Sequence, residues 1–97
     1  MGGYVYITCN KIHTTLYTGV TSNLPQRIAR HREKFYPNSF SAKYNCSKLV
    51  YYKWFDSIID AINEEKRIKA GSRQQKENLI NSMNPRWKDL YNEIKMW

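Results

Sequence analysis

The sequence predicts an α/β protein of the mixed kind. Three strands form a small sheet with helices packed on it, in the order β-β-α-β-α-α and a final helical turn or two. Three observations carry that prediction. Two tyrosine-bearing apolar runs, 4–8 and 16–20, are joined by a short polar connection. A third run, KLVYYKWF over 48–55, is aromatic and β-branched enough to be a strand. Most of the remaining chain carries apolar residues at helical spacing between capping residues.

Tyr4-Val5-Tyr6-Ile7-Thr8 reads as the first strand and Leu16-Tyr17-Thr18-Gly19-Val20 as the second, so the pair looks like an antiparallel hairpin. The connection from Asn10 to Thr15 lacks glycine, so turn chemistry does not fix its register. Gly19 inside a strand predicts a bulge or a close approach by another group. Asn23 and its neighbours supply N-cap candidates, and Pro25 suits a first turn, for a helix over 24–34. Residues 35–46 read as a loop, with Lys43 and several aromatics available to a ligand. The third strand has apolar residues on both parities, which predicts a central position buried on both faces. Asp56 or Ser57 caps a helix that Gly71 ends near Ala70. Ser72 and Gln75 have the capping-box spacing for a helix to about Met83, which Asn84-Pro85 breaks. Residues 86–94 read as a final helical turn or two, packing through Trp87, Leu90 and Tyr91.

Ninety-seven residues make a single domain, 1–97, with room for one modest core. No apolar run is long enough to span a bilayer and no signal-peptide pattern opens the chain, so a cytoplasmic protein is the expectation. Cys9 and Cys46 have neither a disulfide framework nor zinc spacing, and read as small buried apolar residues. The net charge is +8, of which +6 falls within residues 1–56. A basic half rich in tyrosine suits a polyanion such as nucleic acid; a basic protein without such a partner is the alternative.

Several polar side chains fall beside or on apolar stripes. Arg27 and His31, four apart, share one face of the first helix next to Leu24 and Ile28. Glu65 lies three residues from both Ile62 and Ile68, on the stripe of the next helix. A carboxylate there is costly unless paired or bound to a cation; a Glu65–Lys69 pair at the stripe's edge is the simpler alternative. Tyr4 and Tyr6 share one sheet face, as do Tyr17 and Gly19 on the partner strand. Tyrosine, arginine, histidine and one carboxylate together suit metal-assisted phosphodiester hydrolysis, with a hard cation held by one protein ligand and several waters. No Ser/His/Asp trio and no Gly-rich nucleotide loop is evident.

At these residues the chain resembles the GIY-YIG nuclease superfamily, and most of all its small stand-alone bacterial members related to the excinuclease C N-terminal domain. The signature triplets are Tyr4-Val5-Tyr6 and Tyr17-Thr18-Gly19. Residues 23–31 match the family's arginine helix, 61–69 its glutamate helix, 48–52 its third strand, and 84–90 the C-terminal end of the small proteins. The first triplet lacks the family's Gly and Ile, and Thr18 replaces the Ile of the second. The resemblance implies a small three-stranded antiparallel sheet flanked by helices, and cleavage of DNA with one divalent ion, Mg²⁺ or Mn²⁺. Carried over, Glu65 binds the metal, and Tyr6, with Tyr17, activates or orients the attacking water. Arg27 stabilises the scissile phosphate, His31 supports the site, and Asn84 completes it unless it is only a helix cap. DNA affinity would come from Arg30, Arg32, Lys34, Lys43, Lys69, Arg73 and Lys76.

The leading expectation is therefore a DNA endonuclease, structure-selective and serving repair or recombination, with RNA left open as a substrate. The alternatives are a non-catalytic nucleic-acid-binding module and a protein-interaction module on the same fold.

Overall fold

A computed structural model of the chain describes residues 1–33, 39 and 43–97. Strands β1 (Gly3–Cys9), β2 (Leu16–Thr21) and β3 (Lys48–Phe55) form one sheet in the order β2-β1-β3, antiparallel throughout. Among the described residues the helices traced over their full length are α1 (Leu24–Arg32), α2 (Ile58–Ala70), α3 (Arg73–Met83) and a single turn, α4 (Tyr91–Ile94). The mixed α/β class and the element order are those the sequence predicts. Lys34 lies outside the described residues, as does most of the expected loop; at its far end Lys43 donates its N–H to the Ser39 carbonyl.

The sheet divides the core in two. On one face Val5, Ile7, Cys9, Val50 and Tyr51 meet Ala61 and Ile68 of α2 and Ile80 of α3. On the other, Tyr6 and Leu49 meet Leu24 and Ile28 of α1 and Leu90 and Ile94 of the C-terminal segment. Strand alternation decides this sorting: Val5 and Ile7 go one way, Tyr4 and Tyr6 the other. Cys9 and Cys46 are both buried and free.

The central strand is β1, not β3. β3 is an edge, and its two-sided apolar pattern has another cause. The irregular segment after α3 covers its first half. There the Leu90 N–H donates to the Leu49 carbonyl at 2.8 Å, and the Asp89 carboxylate accepts from the Leu49 N–H at 3.2 Å. Covering an edge with chain in place of a strand blocks edge-to-edge pairing. The same segment is not helical over 86–90, and Trp87 takes a left-handed φ of 54°. Only Tyr91–Ile94 forms the expected last turn.

Without glycine, the hairpin turn is built by Asn10, whose side-chain oxygen accepts from the N–H groups of Thr14 and Thr15. His13 takes the left-handed conformation (φ 59°). The Arg73 guanidinium at the start of α3 donates to the His13 and Thr14 carbonyls and holds that turn down. α3 opens with the full Ser72–Gln75 capping box, and Asn23 caps α1 through the Gln26 N–H.

Candidate active site

β1 and β2 register so that Tyr6 lies opposite Gly19. A β-carbon on Gly19 would overlap the Tyr6 hydroxyl, so the close approach predicted at Gly19 is made by the tyrosine ring crossing its neighbour strand. Tyr6 is 0% exposed. Its hydroxyl is 2.9 Å from His31 Nε2 on α1, and Tyr17 acts on it electrostatically from β2. The three rings form one cluster. Centroids are 6.3 Å apart for Tyr6–Tyr17, 5.7 Å for Tyr6–His31 and 5.4 Å for Tyr17–His31.

α1 supplies the positive charge. Arg27, one turn before His31, acts electrostatically on both Tyr6 and His31 and has no ion pair among the described residues. Burial, with Arg27 beside it, pushes the His31 imidazole down to about 4, so the ring is neutral at pH 7. A neutral ring whose Nδ1 carries the proton accepts the Tyr6 hydroxyl proton at Nε2. Burial raises Tyr6 well above the ordinary phenol range; the Tyr17 hydroxyl and the Glu65 carboxylate add to the rise and Arg27 opposes it. Tyr6 is thus a phenol at neutral pH, and His31 meets it as a neutral hydrogen-bond acceptor.

Glu65 comes from α2, which packs on β1 and β2. Its side chain is 16% exposed, and its carboxylate pairs with Lys69 at 3.4 Å. The Lys69 ammonium lies 5.9 Å from the Tyr17 ring centre, so this pair reaches the outer strand. A cleft of about 320 Å³ lined by Leu16, Tyr17, Thr18, Lys69 and Lys76 opens there. Among the described residues no group of three or more His, Cys, Asp or Glu gathers to hold a metal. A cation here would rest on the single Glu65 carboxylate. That donor set fits Mg²⁺, which keeps most of its waters and takes phosphate oxygens.

Tyr6, Tyr17, Arg27, His31 and Glu65 are therefore brought together. Asn84 is not among them. It is buried at the end of α3, where its amide donates to the Val50 and Lys88 carbonyls and accepts from the Lys88 N–H. Several of the cations expected to meet DNA are also spent on the fold. Arg32 pairs with Asp89 at 2.6 Å and lies over Tyr91, Arg73 pairs with Glu77 and clamps the hairpin, and Lys76 donates to the Gly71 carbonyl. Lys43 is exposed, with its ammonium over Tyr44, and Arg30 is partly exposed on α1. The sequence reading missed Asp89, whose links to Arg32 and Leu49 span long separations that carry no local signal.

Comparison with known proteins is consistent across three measures. Residues 2–78 match the model of the GIY-YIG catalytic domain. A UPF0213 protein of Clostridium perfringens is 37% identical over 97 residues, covering 96% of this chain and 98% of its own. A second, from Staphylococcus haemolyticus, is 41% identical over 81 residues, covering 79% of this chain and 92% of its own. The solution NMR structure of a UPF0213 protein from Bacillus halodurans superposes with a TM-score of 0.58 at 28% identity, covering 92% of this chain and 93% of that one. Those names state a family and not a reaction.

Proposed function

The chain belongs to the GIY-YIG catalytic-domain family, and from that premise we propose that it is a divalent-metal-dependent endonuclease hydrolysing DNA phosphodiester bonds. The observation that carries the proposal is the convergence of Tyr6, Tyr17, Arg27, His31 and Glu65 from β1, β2, α1 and α2. Only Tyr6 is fully buried; the guanidinium, imidazole and carboxylate are part-exposed beside it, and titratable groups gathered around a buried phenol with shifted protonation are a functional-site signal.

Burial divides the roles of the two tyrosines. Tyr17 is half-buried and lines the cleft, so it meets the attacking water. Tyr6 lies behind it with its hydroxyl on His31 Nε2, and the neutral imidazole holds that hydroxyl in place as a hydrogen-bond acceptor. Arg27 steadies the scissile phosphate and the charge that grows on its oxygens in the transition state. Glu65 would hold one Mg²⁺ or Mn²⁺, which supplies Lewis-acid polarisation of the phosphate and acidifies its bound water. One such site cuts one strand per visit.

A non-catalytic nucleic-acid-binding module is the second reading, favoured by the pairing of Glu65 with Lys69 and the full burial of Tyr6. Nicking of branched, linear and single-stranded DNA with Mg²⁺ or Mn²⁺, beside Glu65→Gln and Arg27→Ala, separates the two. Metal-dependent cleavage lost in both variants supports the enzyme. Binding that survives both variants, with no cleavage by the parent protein, overturns it. Preference for branched over linear substrates is the readout for a role in repair or recombination.

A further inference from the structure

The face of the sheet that carries Tyr6 continues as a row of aromatic rings that the site does not use. Register pairs Tyr6 with Tyr52 and Tyr4 with Trp54 across β1 and β3. Trp97 joins them, its ring 5.8 Å from Tyr4 and 5.6 Å from Tyr52. Tyr4 and Trp54 are 4.9 Å apart, and Tyr4 and Tyr52 are 6.1 Å apart. Trp54 is 48% exposed and Trp97 59% exposed.

These rings are held in place, yet they are open. The Trp54 indole N–H donates to Asp56 at 2.8 Å, and its six-membered ring rests on Gly2, where a β-carbon would collide with it. Tyr4 meets Trp54 at 61° and Tyr52 at 70°, and Tyr52 meets Trp97 at 84°. Edge-to-face packing fixes the rings and leaves ring faces uncovered. A contiguous exposed apolar patch of oriented aromatics marks an interaction surface.

We propose that Tyr4, Tyr52, Trp54 and Trp97 form a stacking platform for unpaired nucleobases beside the scissile phosphate, so that the preferred substrate is a strand with single-stranded character. This rests on the endonuclease reading of the Tyr6 site. Three observations select this occupant. The platform is continuous with that site, since Tyr4 and Tyr6 are one two-residue step apart on the same strand face, about 7 Å. The chain carries +8, which draws a polyanion to it. At the platform itself Asp56 holds Trp54 and the Glu93 charge reaches Tyr52, so phosphates are disfavoured there and neutral base faces are not. The backbone would follow α1 past Arg27 while the bases turn to the rings. Aromatic stacking is tolerant of sequence but requires bases that have left a duplex.

The test is a binding titration without metal, in EDTA, followed by tryptophan fluorescence. Oligothymidylate, an abasic oligomer of equal length and a blunt duplex are compared at one salt concentration. Oligothymidylate is expected to quench the fluorescence, while Trp87, packed on the opposite face, contributes a constant background. Trp54→Ala and Trp97→Ala each weaken oligothymidylate binding about tenfold and leave abasic binding unchanged. Circular dichroism and melting confirm that each variant is folded. Equal binding of the abasic and thymidylate strands, or affinity indifferent to both substitutions, overturns the proposal. So does a dimer by sedimentation that covers Trp54 and Trp97 and is not quenched by oligonucleotide. Failure of the endonuclease reading shows separately, as absent metal-dependent cleavage with the quench intact.

Discussion

Gly19 leaves the space that the Tyr6 hydroxyl fills, and a β-carbon at that position would overlap it. The requirement is steric and not conformational, since no glycine in the chain has a positive φ. Gly19→Ala must displace the ring of a fully buried tyrosine and break its hydrogen bond to His31. The expected cost is about 1–3 kcal/mol from overpacking. Cleavage should fall at least about tenfold even where the variant is fully folded, because the Tyr6–His31 hydrogen bond is broken. Urea unfolding beside a nicking assay measures both. Wild-type cleavage in folded Gly19→Ala would remove Tyr6 from the mechanism.

His31 makes the fold acid-sensitive in a window set by its own shift. Its folded value is about 4 against 6.5 for an ordinary imidazole. Below 6.5 the unfolded chain binds a proton that the folded chain refuses, so stability falls as pH drops from about 6.5 to 4 and this contribution then levels off. With allowance for solvent at the half-buried ring, the loss is about 2 kcal/mol. His31→Gln should flatten that part of the profile. Urea unfolding of both proteins at pH 7 and pH 4.5 cancels the carboxylates they share, including Glu64, which Arg67 holds below its usual range. In the free protein, NMR should show the His31 ring titrating near pH 4.

Arg27 and Glu65 are predicted to matter through chemistry and not through the fold. Neither lies in the buried core. Removing a charge-stabilising donor of this type costs about 10²–10³ in rate. Arg27→Lys should recover little, because an ammonium lacks the two-pronged donor geometry that matches a phosphate. Single-turnover cleavage at saturating Mg²⁺ is the measurement. Full activity in Arg27→Lys would reduce the role of Arg27 to point charge.

What the sequence revealed follows from the range of the interactions involved. Tyr4–Tyr6 alternation, the i,i+4 pairing of Arg27 with His31, the position of Glu65 on its stripe and the Ser72–Gln75 box are all local, and each is read within one element. The edge position of β3 was not legible. Its cover is an irregular segment with no periodicity, held by Asp89 to Leu49 across forty residues. For the same reason Arg32, Arg73 and Lys76 looked like free surface cations. Their partners Asp89, His13 and Gly71 are set by tertiary contact or by helix termini. The aromatic platform was visible only as scattered rings until register put Tyr4 beside Trp54.

Asn84 tests the boundary between the site and its scaffold. The sequence placed it in the site by resemblance, with a cap as the alternative. Its amide is engaged by Val50 and Lys88, and it is the C-cap residue of α3. Asn84→Ala would leave the Lys88 N–H and two carbonyls without those partners, the Val50 carbonyl in a buried setting and the Lys88 groups in a part-buried one, at a cost of about 1–3 kcal/mol. It would also loosen the segment that carries Asp89 and Leu90 onto β3, and an uncovered strand edge invites pairing with other chains. The expected variant melts lower and aggregates sooner. Below its melting temperature it cleaves at a rate within about threefold of the parent, a loss far smaller than that of a transition-state donor. A loss of cleavage near that expected for Glu65→Gln, in protein shown to be folded, would return Asn84 to the site and require that the α3 end move toward α1 when DNA binds.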